Sequence, residues 1–166
     1  MRKLGLDLSS STCGYAITED GNIITCGFFD ISKHTTYKEK ANVIISGLEG
    51  KEFDIINVEE NLFGFKSGQS SQKTIITLVK NKVVICYILE EYYKKPMYYA
   101  NATTMRKQLF GKARRKGIKP KVFVKENIEQ KYDMSKWVIL NRDKNPDARM
   151  ADVYDAVVVS VYTPPS

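Results

Sequence analysis

Acidic residues close two apolar strand patterns in this chain, and two more open an apolar helix pattern near its C-terminus. Asp7 closes the first strand pattern, Glu59 and Glu60 close the second, and Asp152 and Asp155 open the helix. A carboxylate at the end of a buried strand costs free energy unless a positive charge meets it. Each acid alone has a plainer explanation as a strand end, a surface pair or a helix-dipole partner. Together, the three places predict a fold that gathers them around a cation such as Mg²⁺.

The first part of the chain predicts an antiparallel meander of three strands. Strand patterns cover residues 3–8, 13–17 and 23–29, and Asp20-Gly21-Asn22 is a strong hairpin turn signal. A capping-box spacing then predicts a helix over 37–48. After it, residues 54–59 are apolar on both faces, which is typical of a buried parallel strand.

Pairing between the first and fourth strands would bring two of the acidic places together. Parallel neighbours need a crossover connection, and the helix over 37–48 supplies one. Asp7 and Glu59 would then lie near the same edge of the sheet. Asp152 and Asp155 stand three residues apart, so they share one face of their helix. That face, laid over the strand ends, would complete a four-carboxylate cup.

The rest of the chain alternates helices with one more strand. The predicted elements are a helix over 72–93, a strand over 96–100, a short helix from Thr103, a helix from Pro120 to about Tyr132, and a helix from Ala148 to about Tyr162. The order predicts an α/β fold with a central mixed sheet, in which a three-stranded antiparallel meander joins two parallel strands and helices cover both faces. Residues 1–166 are expected to form a single domain.

Positive charge is concentrated in one segment. The net charge is +7, and the segment from Tyr92 to Lys125 holds eleven Lys or Arg residues and no acidic residue, so the rest of the chain carries −4. The alternative is a solvated basic loop, but contact with a phosphate backbone is the stronger interpretation. The predicted DNA-binding residues of this segment are Arg106, Lys107, Lys112, Arg114, Arg115, Lys116, Lys119 and Lys121.

A loop after the Glu59 strand carries two aromatic residues among glycines and amides. Phe63, Phe65 and the adjacent Lys66 are candidates for stacking on bases or wedging between them. The alternative is that one phenylalanine packs under the following long helix.

Other chemistries find little support in the composition. The cysteines Cys13, Cys26 and Cys86 fit neither a zinc spacing nor a disulfide framework, and buried thiols in a reducing cytoplasm are expected. No apolar run is long enough for a transmembrane helix, and no membrane partner is expected. His34 lies in a polar stretch and is predicted to be a solvated loop residue.

Three motifs resemble the RuvC family of Holliday junction resolvases in the RNase H-like superfamily. The opening segment from Leu4 to Ala16 resembles the family's G-[IL]-D-P-G-x₃-T-G-Y motif. The segment from Val58 to Phe63 resembles its I-E-x-x-F motif, and the segment from Ala151 to Ala156 resembles its closing A-D-x-x-D-A motif. Spacing and element order match over nearly the whole chain.

The resemblance implies a homodimeric, Mg²⁺-dependent endonuclease that resolves four-way junctions, and other branched DNA such as forks and flaps, by paired nicks. Two Mg²⁺ ions per site are implied, with Mn²⁺ as a substitute, and no small-molecule cofactor. The ligands would be Asp7, Glu59, Asp152 and Asp155. Arg106 or Lys107 would offset charge on the phosphate. A bacteriophage source, and hence location in the host cytoplasm, is also expected.

This chain departs from the family pattern in two places. Leu8-Ser9 replaces the family's Pro-Gly, and two glutamates stand where the family has one. Spacing from the strand start favours Glu59 as the ligand, and spacing to Phe63 favours Glu60. We choose Glu59.

Two other functions are compatible with parts of the pattern. A non-catalytic binder of branched DNA could retain the fold. An actin-like ATPase also opens with a strand, an Asp and a Ser/Thr-rich loop, as in the segment from Asp7 to Thr12. Such an enzyme needs two lobes and a later Gly-Gly motif, which this sequence lacks.

Overall fold

A five-stranded mixed sheet forms the centre of the computed structural model, which describes residues 1–60 and 72–165. The strands are β1 Arg2–Leu8, β2 Thr12–Glu19, β3 Asn22–Asp30, β4 Ile55–Glu60 and β5 Met97–Asn101. Their order across the sheet is β3-β2-β1-β4-β5. Strands β1, β2 and β3 form an antiparallel meander, and β4 pairs in parallel with both β1 and β5. The predicted mixed sheet is confirmed.

Helices cover both faces of the sheet, as predicted. They are α1 Tyr37–Gly47, α2 Gln72–Tyr93, α3 Ala102–Phe110, α4 Pro120–Lys131 and α5 Met150–Val161, with a short 3₁₀ turn at Ser135–Trp137. One core lies between the sheet and helices α1 and α2, and the other lies between the sheet and helices α3, α4 and α5. None of the described helices has the length and apolar character to cross a membrane.

Local sequence signals set several of these boundaries. Thr36 and Glu39 form the predicted capping box at the start of α1, and Pro120 opens α4. Cys13, Cys26 and Cys86 are buried free thiols, as predicted.

The start of the last helix differs from its prediction. Helix α5 begins at Met150 rather than at Ala148. Asp147 accepts hydrogen bonds from the backbone and the guanidinium of Arg149, at 2.9, 2.9 and 2.7 Å. Arg149 also pairs with Asp30 at 3.1 Å. These contacts hold the chain before α5 in a turn and tie it to the end of β3.

Glycines let α5 lie directly on the sheet. A Cβ atom at Gly5 would come within 2.5 Å of the carbonyl oxygen of Ala156, which is too close for any real contact. A Cβ atom at Gly14 would likewise collide with the main chain of Asp152. The buried Asn57 side chain donates hydrogen bonds to the carbonyl oxygens of Val159 and Tyr162, at 3.1 and 2.9 Å. The acidic first half of α5 is therefore placed over the centre of the sheet.

We expect Gly5→Ala to destabilise the protein because the added methyl group meets rigid helix backbone. The free energy of unfolding should fall by about 1–3 kcal/mol or more, as for other overpacked sites. Gly27→Ala is a matched control in the same sheet, since its Cβ would approach only the Tyr15 ring, at 3.1 Å. Urea denaturation measures both variants, and an equal or smaller loss for Gly5→Ala would contradict the close packing of α5.

Candidate acidic site and its basic surround

Asp7 and Glu59 lie side by side on the sheet face that α5 covers. Both follow directly after the last paired residues of the parallel β1–β4 ladder. Gly5 and Asn57 stand two residues earlier in the same strands, and both contact α5. Because side chains alternate along a strand, Asp7 and Glu59 project from that same face.

The second glutamate of β4 projects from the opposite face. Glu60 follows Glu59 directly, so alternation turns its side chain away from α5, and the structure shows it exposed. Glu59 is partly buried and adds to the negative potential at Asp7. The structure therefore groups Glu59 with the three aspartates and separates Glu60 from them.

The two aspartates of α5 complete the acidic cluster, which we define as Asp7, Glu59, Asp152 and Asp155. The main chain of Asp152 contacts Gly14, which is the cross-strand partner of Asp7. Asp155, one helical turn later, is only 9% exposed. The cup of four carboxylates predicted from the sequence is thus brought together by β1, β4 and α5.

Burial, together with repulsion between carboxylates, disfavours the ionised form of the cluster residues. Burial raises the pKa of Asp7 well above its usual value, and the charges of Glu59, Asp155 and Asp152 raise it further. The pKa of Glu59 is raised by burial and then by Asp155. Burial is also the first cause of the raised pKa values of Asp152 and Asp155. Taking these charges out of water is costly without a compensating cation.

Two basic side chains already contact the cluster. Arg106 of α3 pairs with Asp155 at 3.2 Å, and both side chains are largely buried. Lys121 of α4 lies 3.8 Å from Asp152 and is mostly exposed. Each cation lowers the pKa of its partner, but burial outweighs it. Lys107, the neighbour of Arg106, is exposed on the surface of α3.

The donor atoms of the cluster fit a hard divalent cation. All four side chains supply carboxylate oxygens, which Mg²⁺ and Mn²⁺ prefer. Burial first, and then the charges of Glu59, Asp155 and Asp152, raise the pKa of Asp7 despite the opposing charge of Lys82. In the described parts of the chain, no three potential ligands stand close enough together to hold a metal as they are placed. A bound cation would therefore have to draw the carboxylates inward.

The neighbouring thiol does not add to this ligand set. Cys13 lies next to the cluster but is fully buried in the core under α1 and α2. Burial first, and Asp7 second, raise the pKa of its thiol well above the usual value, which keeps it neutral.

The predicted basic segment borders the cluster through Lys121. Between α3 and α4 the structure exposes the side chains of Lys112, Arg114, Lys116 and Lys119. Arg115 is exposed and pairs with Glu126 at 2.7 Å. A positively charged surface therefore runs up to the edge of the acidic site. Phe63, Phe65 and Lys66, the other predicted DNA contacts, lie outside the described residues.

Nothing in the sequence pattern singled out Lys82. It lies in α2, is only 7% exposed, and lowers the pKa values of both Asp7 and Glu59. A lysine within the apolar stripe of a long helix is the one signal that could have marked it, because a buried lysine needs compensating partners.

Comparison with solved structures shows that this fold is similar to that of RuvC and of two other resolvases. Thermus thermophilus RuvC in complex with a Holliday junction substrate matches with a TM-score of 0.63 and 13% identity, over 96% of this chain and 90% of that chain. The yeast mitochondrial Holliday junction resolvase Ydc2 matches with a TM-score of 0.57 and 14% identity, over 95% of this chain and 75% of that chain. The fowlpox virus resolvase bound to Holliday junction DNA matches with a TM-score of 0.50 and 15% identity, over 97% of this chain and 95% of that chain. The predicted fold, a central mixed sheet with helices on both faces, is therefore shared with these resolvases.

The match is one of structure alone. No family model matches the sequence, and no curated protein matches it either.

We expect Asp7→Asn to stabilise the metal-free protein. The substitution removes the carboxylate whose charged form is most strongly disfavoured by burial and by the neighbouring carboxylates. At neutral pH the free energy of unfolding should rise by about 1–3 kcal/mol. The cluster's pKa values are raised by folding, so the folded state holds more protons than the unfolded chain. Stability should therefore fall as pH rises from about 4 towards neutrality, and less steeply in Asp7→Asn.

Thermal unfolding in EDTA from pH 4 to 8 measures this difference. Titratable groups outside the cluster contribute equally to the pH dependence of both proteins, so their contributions cancel in the comparison. Equal pH profiles, or a lower stability of Asp7→Asn at neutral pH, would show that the cluster carries no such strain.

Proposed function

We propose that this protein is a metal-dependent endonuclease that cuts branched DNA, with four-way junctions as its main substrate. The observation that carries the proposal is the convergence of Asp7, Glu59, Asp152 and Asp155 beside a strongly basic surface. The fold is that of resolvases whose structures contain Holliday junction DNA. A carboxylate cluster next to a polyanion is unfavourable unless a cation bridges the two. Metal-dependent cleavage of a phosphodiester uses such a bridging cation.

The four carboxylates of the acidic cluster would hold Mg²⁺, with Mn²⁺ as a substitute. When bound, the metal supplies an activated water molecule and neutralises charge on the phosphate. Asp7 and Glu59 are held by sheet strands, and Asp152 and Asp155 by a helix packed on that sheet. The ligands therefore come from rigid elements, which favours accurate positioning of the reacting phosphate.

Arg106 and Lys121 are placed to contact the DNA next to the cleaved bond. Arg106 is held beside Asp155, where its guanidinium can stabilise charge that develops on the phosphate. Lys121 joins the acidic cluster to the exposed Lys112, Arg114, Lys116 and Lys119, which would follow the phosphate backbone away from the site. Cleavage should leave 5′-phosphate and 3′-hydroxyl ends.

We also propose a homodimer formed through the outer face of α2. Ile76, Val83 and Tyr87 are 53%, 59% and 62% exposed and recur at helical spacing on one side of the helix. Such an apolar stripe on a long helix suits a two-fold interface between identical chains. A two-fold dimer would present one acidic cluster to each of two opposed strands of a junction.

A non-catalytic branched-DNA binder is the second candidate. The ion pairs of Arg106 with Asp155 and of Lys121 with Asp152 favour it, because protein cations then satisfy two of the carboxylates. Such a protein would bind junctions equally well in EDTA and in Mg²⁺ and would leave every strand intact.

Nicking of synthetic substrates tests the catalytic proposal. Four-way junctions, forks, flaps and linear duplexes are incubated with the protein in Mg²⁺, in Mn²⁺ and in EDTA. We expect metal-dependent cleavage of the branched substrates, with symmetric nicks in the four-way junction. Glu59→Gln and Asp7→Asn should each lower the rate by about a hundredfold or more, since each removes a metal ligand worth several kcal/mol.

Glu60→Gln is the matched control, because Glu60 neighbours Glu59 but projects from the other face of the sheet. It should cleave at the wild-type rate. Junction binding, measured by gel shift in Ca²⁺, should be retained in all variants. Full activity of Glu59→Gln would overturn the site assignment, and intact junctions in every metal would favour the binder.

Size-exclusion chromatography tests the dimer. The double substitution Val83→Asp and Tyr87→Asp should convert a dimer to a folded monomer, because buried like charges would face each other across the two-fold axis. Such a monomer should lose the pairing of its nicks. Ile24→Asp changes an apolar residue of β3 that is 45% exposed, and this variant should remain dimeric. An unchanged elution volume of the double variant would exclude this face.

A further inference from the structure

Two consecutive residues of α2 contact the ends of the strands that carry Asp7 and Glu59. The Asn81 side-chain amide donates a hydrogen bond to the carbonyl oxygen of Ser9, at 3.2 Å. The Lys82 ammonium donates one to the carbonyl oxygen of Glu59, at 2.5 Å. Both side chains are buried, at 4% and 7% exposure. They approach from the sheet face opposite to α5.

These contacts occur just beyond the last residue pair that joins the two strands directly, although each strand stays paired with its other neighbour in the sheet. The parallel ladder of β1 and β4 runs from the pair Lys3 and Ile55 to the pair Leu6 and Val58. Asp7 and Glu59 are the next residues. Beyond that point, side chains of α2 take over the hydrogen bonding of main-chain groups at the strand ends.

Asn81 and Lys82 occupy buried positions at which an apolar core would favour a hydrophobic residue. Burying a lysine costs free energy unless it is paired or hydrogen-bonded. Among the described residues, the Asn81 side-chain oxygen has no hydrogen-bond partner although it is buried. A leucine at either place would fill the same stripe of α2 at a lower cost. Buried polar groups that are hydrogen-bonded in this way hold one specific arrangement of the residues they contact.

We propose that Asn81 and Lys82 are positioning residues for the acidic cluster, which fix the main chain at the ends of β1 and β4 and so set the spacing of Asp7 and Glu59. The proposal rests on the nuclease function proposed above. Lys82 also brings a fixed positive charge behind the carboxylates, which reduces their mutual repulsion before any metal binds. Neither side chain contacts the substrate, because α2 and α5 lie on opposite faces of the sheet.

The test compares Lys82→Met, Lys82→Arg and Asn81→Leu with the wild-type protein. Lys38→Met, at an exposed position of α1, is the matched control for loss of a lysine. Three quantities are measured on each protein, and one of them is junction affinity in Ca²⁺. Amide hydrogen exchange in EDTA reports the strand ends at residues 8–9 and 59–60, and single-turnover cleavage in saturating Mg²⁺ reports the chemistry.

We expect exchange at the strand ends to be about five- to tenfold faster in Lys82→Met, with unchanged exchange in β2, because one main-chain anchor is lost. The cleavage rate should fall about tenfold, while junction affinity in Ca²⁺ stays within about twofold of wild type. Lys82→Arg keeps the charge and the donors and should recover part of the rate. Lys38→Met should match the wild type in every measurement.

The outcomes separate this proposal from the nuclease assignment. If the wild-type protein does not cleave, the nuclease assignment fails, and hydrogen exchange alone still decides whether α2 fixes the strand ends. If Lys82→Met does not fold, Asn81→Leu carries the same comparison, because it removes the donor to the Ser9 carbonyl oxygen. Wild-type exchange at the strand ends in Lys82→Met and Asn81→Leu overturns the proposal, whatever their cleavage rates.

Discussion

The close contact of α5 with the sheet is the constraint on which the site depends. Gly5 and Gly14 remove the side chains that would otherwise separate helix and strands, and Asn57 bonds to the far end of the helix. Side chains at these two positions would push the helix away from the sheet, which would spread the carboxylates of α5 and of the strands apart. Here the helix backbone touches the strands, so Asp152 is placed beside the strand pair that carries Asp7 and Glu59.

That contact has an electrostatic cost which the protein offsets only in part. Burial raises the pKa values of all four cluster residues, and neighbouring carboxylates raise those of Asp7, Glu59 and Asp152 further. Asp7 is affected most strongly. Arg106, Lys121 and Lys82 approach the cluster from three different helices and reduce the repulsion. The remaining negative charge is what would bind the divalent cation that we propose. The folded protein would then be less stable in the absence of that cation, a common relation at functional sites.

Most of the fold and the main features of the site could be predicted from the sequence, because they follow from local rules. Strand alternation, a hairpin turn and a capping box predicted the elements, and the acids at the ends of apolar runs predicted the cluster. The choice between Glu59 and Glu60 depended on one residue of register, which only the pairing of β4 decides. Lys82 escaped prediction because its partner is a carbonyl oxygen 23 residues away, and no sequence pattern reports such a contact.

The two faces of the sheet have different relations to the same four acids. Helix α5 supplies two of the carboxylates and covers the face from which Asp7 and Glu59 project. Helix α2, on the other face, supplies none but contacts the main chain at both strand ends, and it also presents Val83 and Tyr87 to the exterior. Helix α2 therefore carries, within three turns, both the proposed dimer surface and the contacts with the strand ends. Because Asn81 and Lys82 directly precede Val83 in the same helix, a shift of α2 at the proposed dimer surface would also displace its contacts with both strand ends.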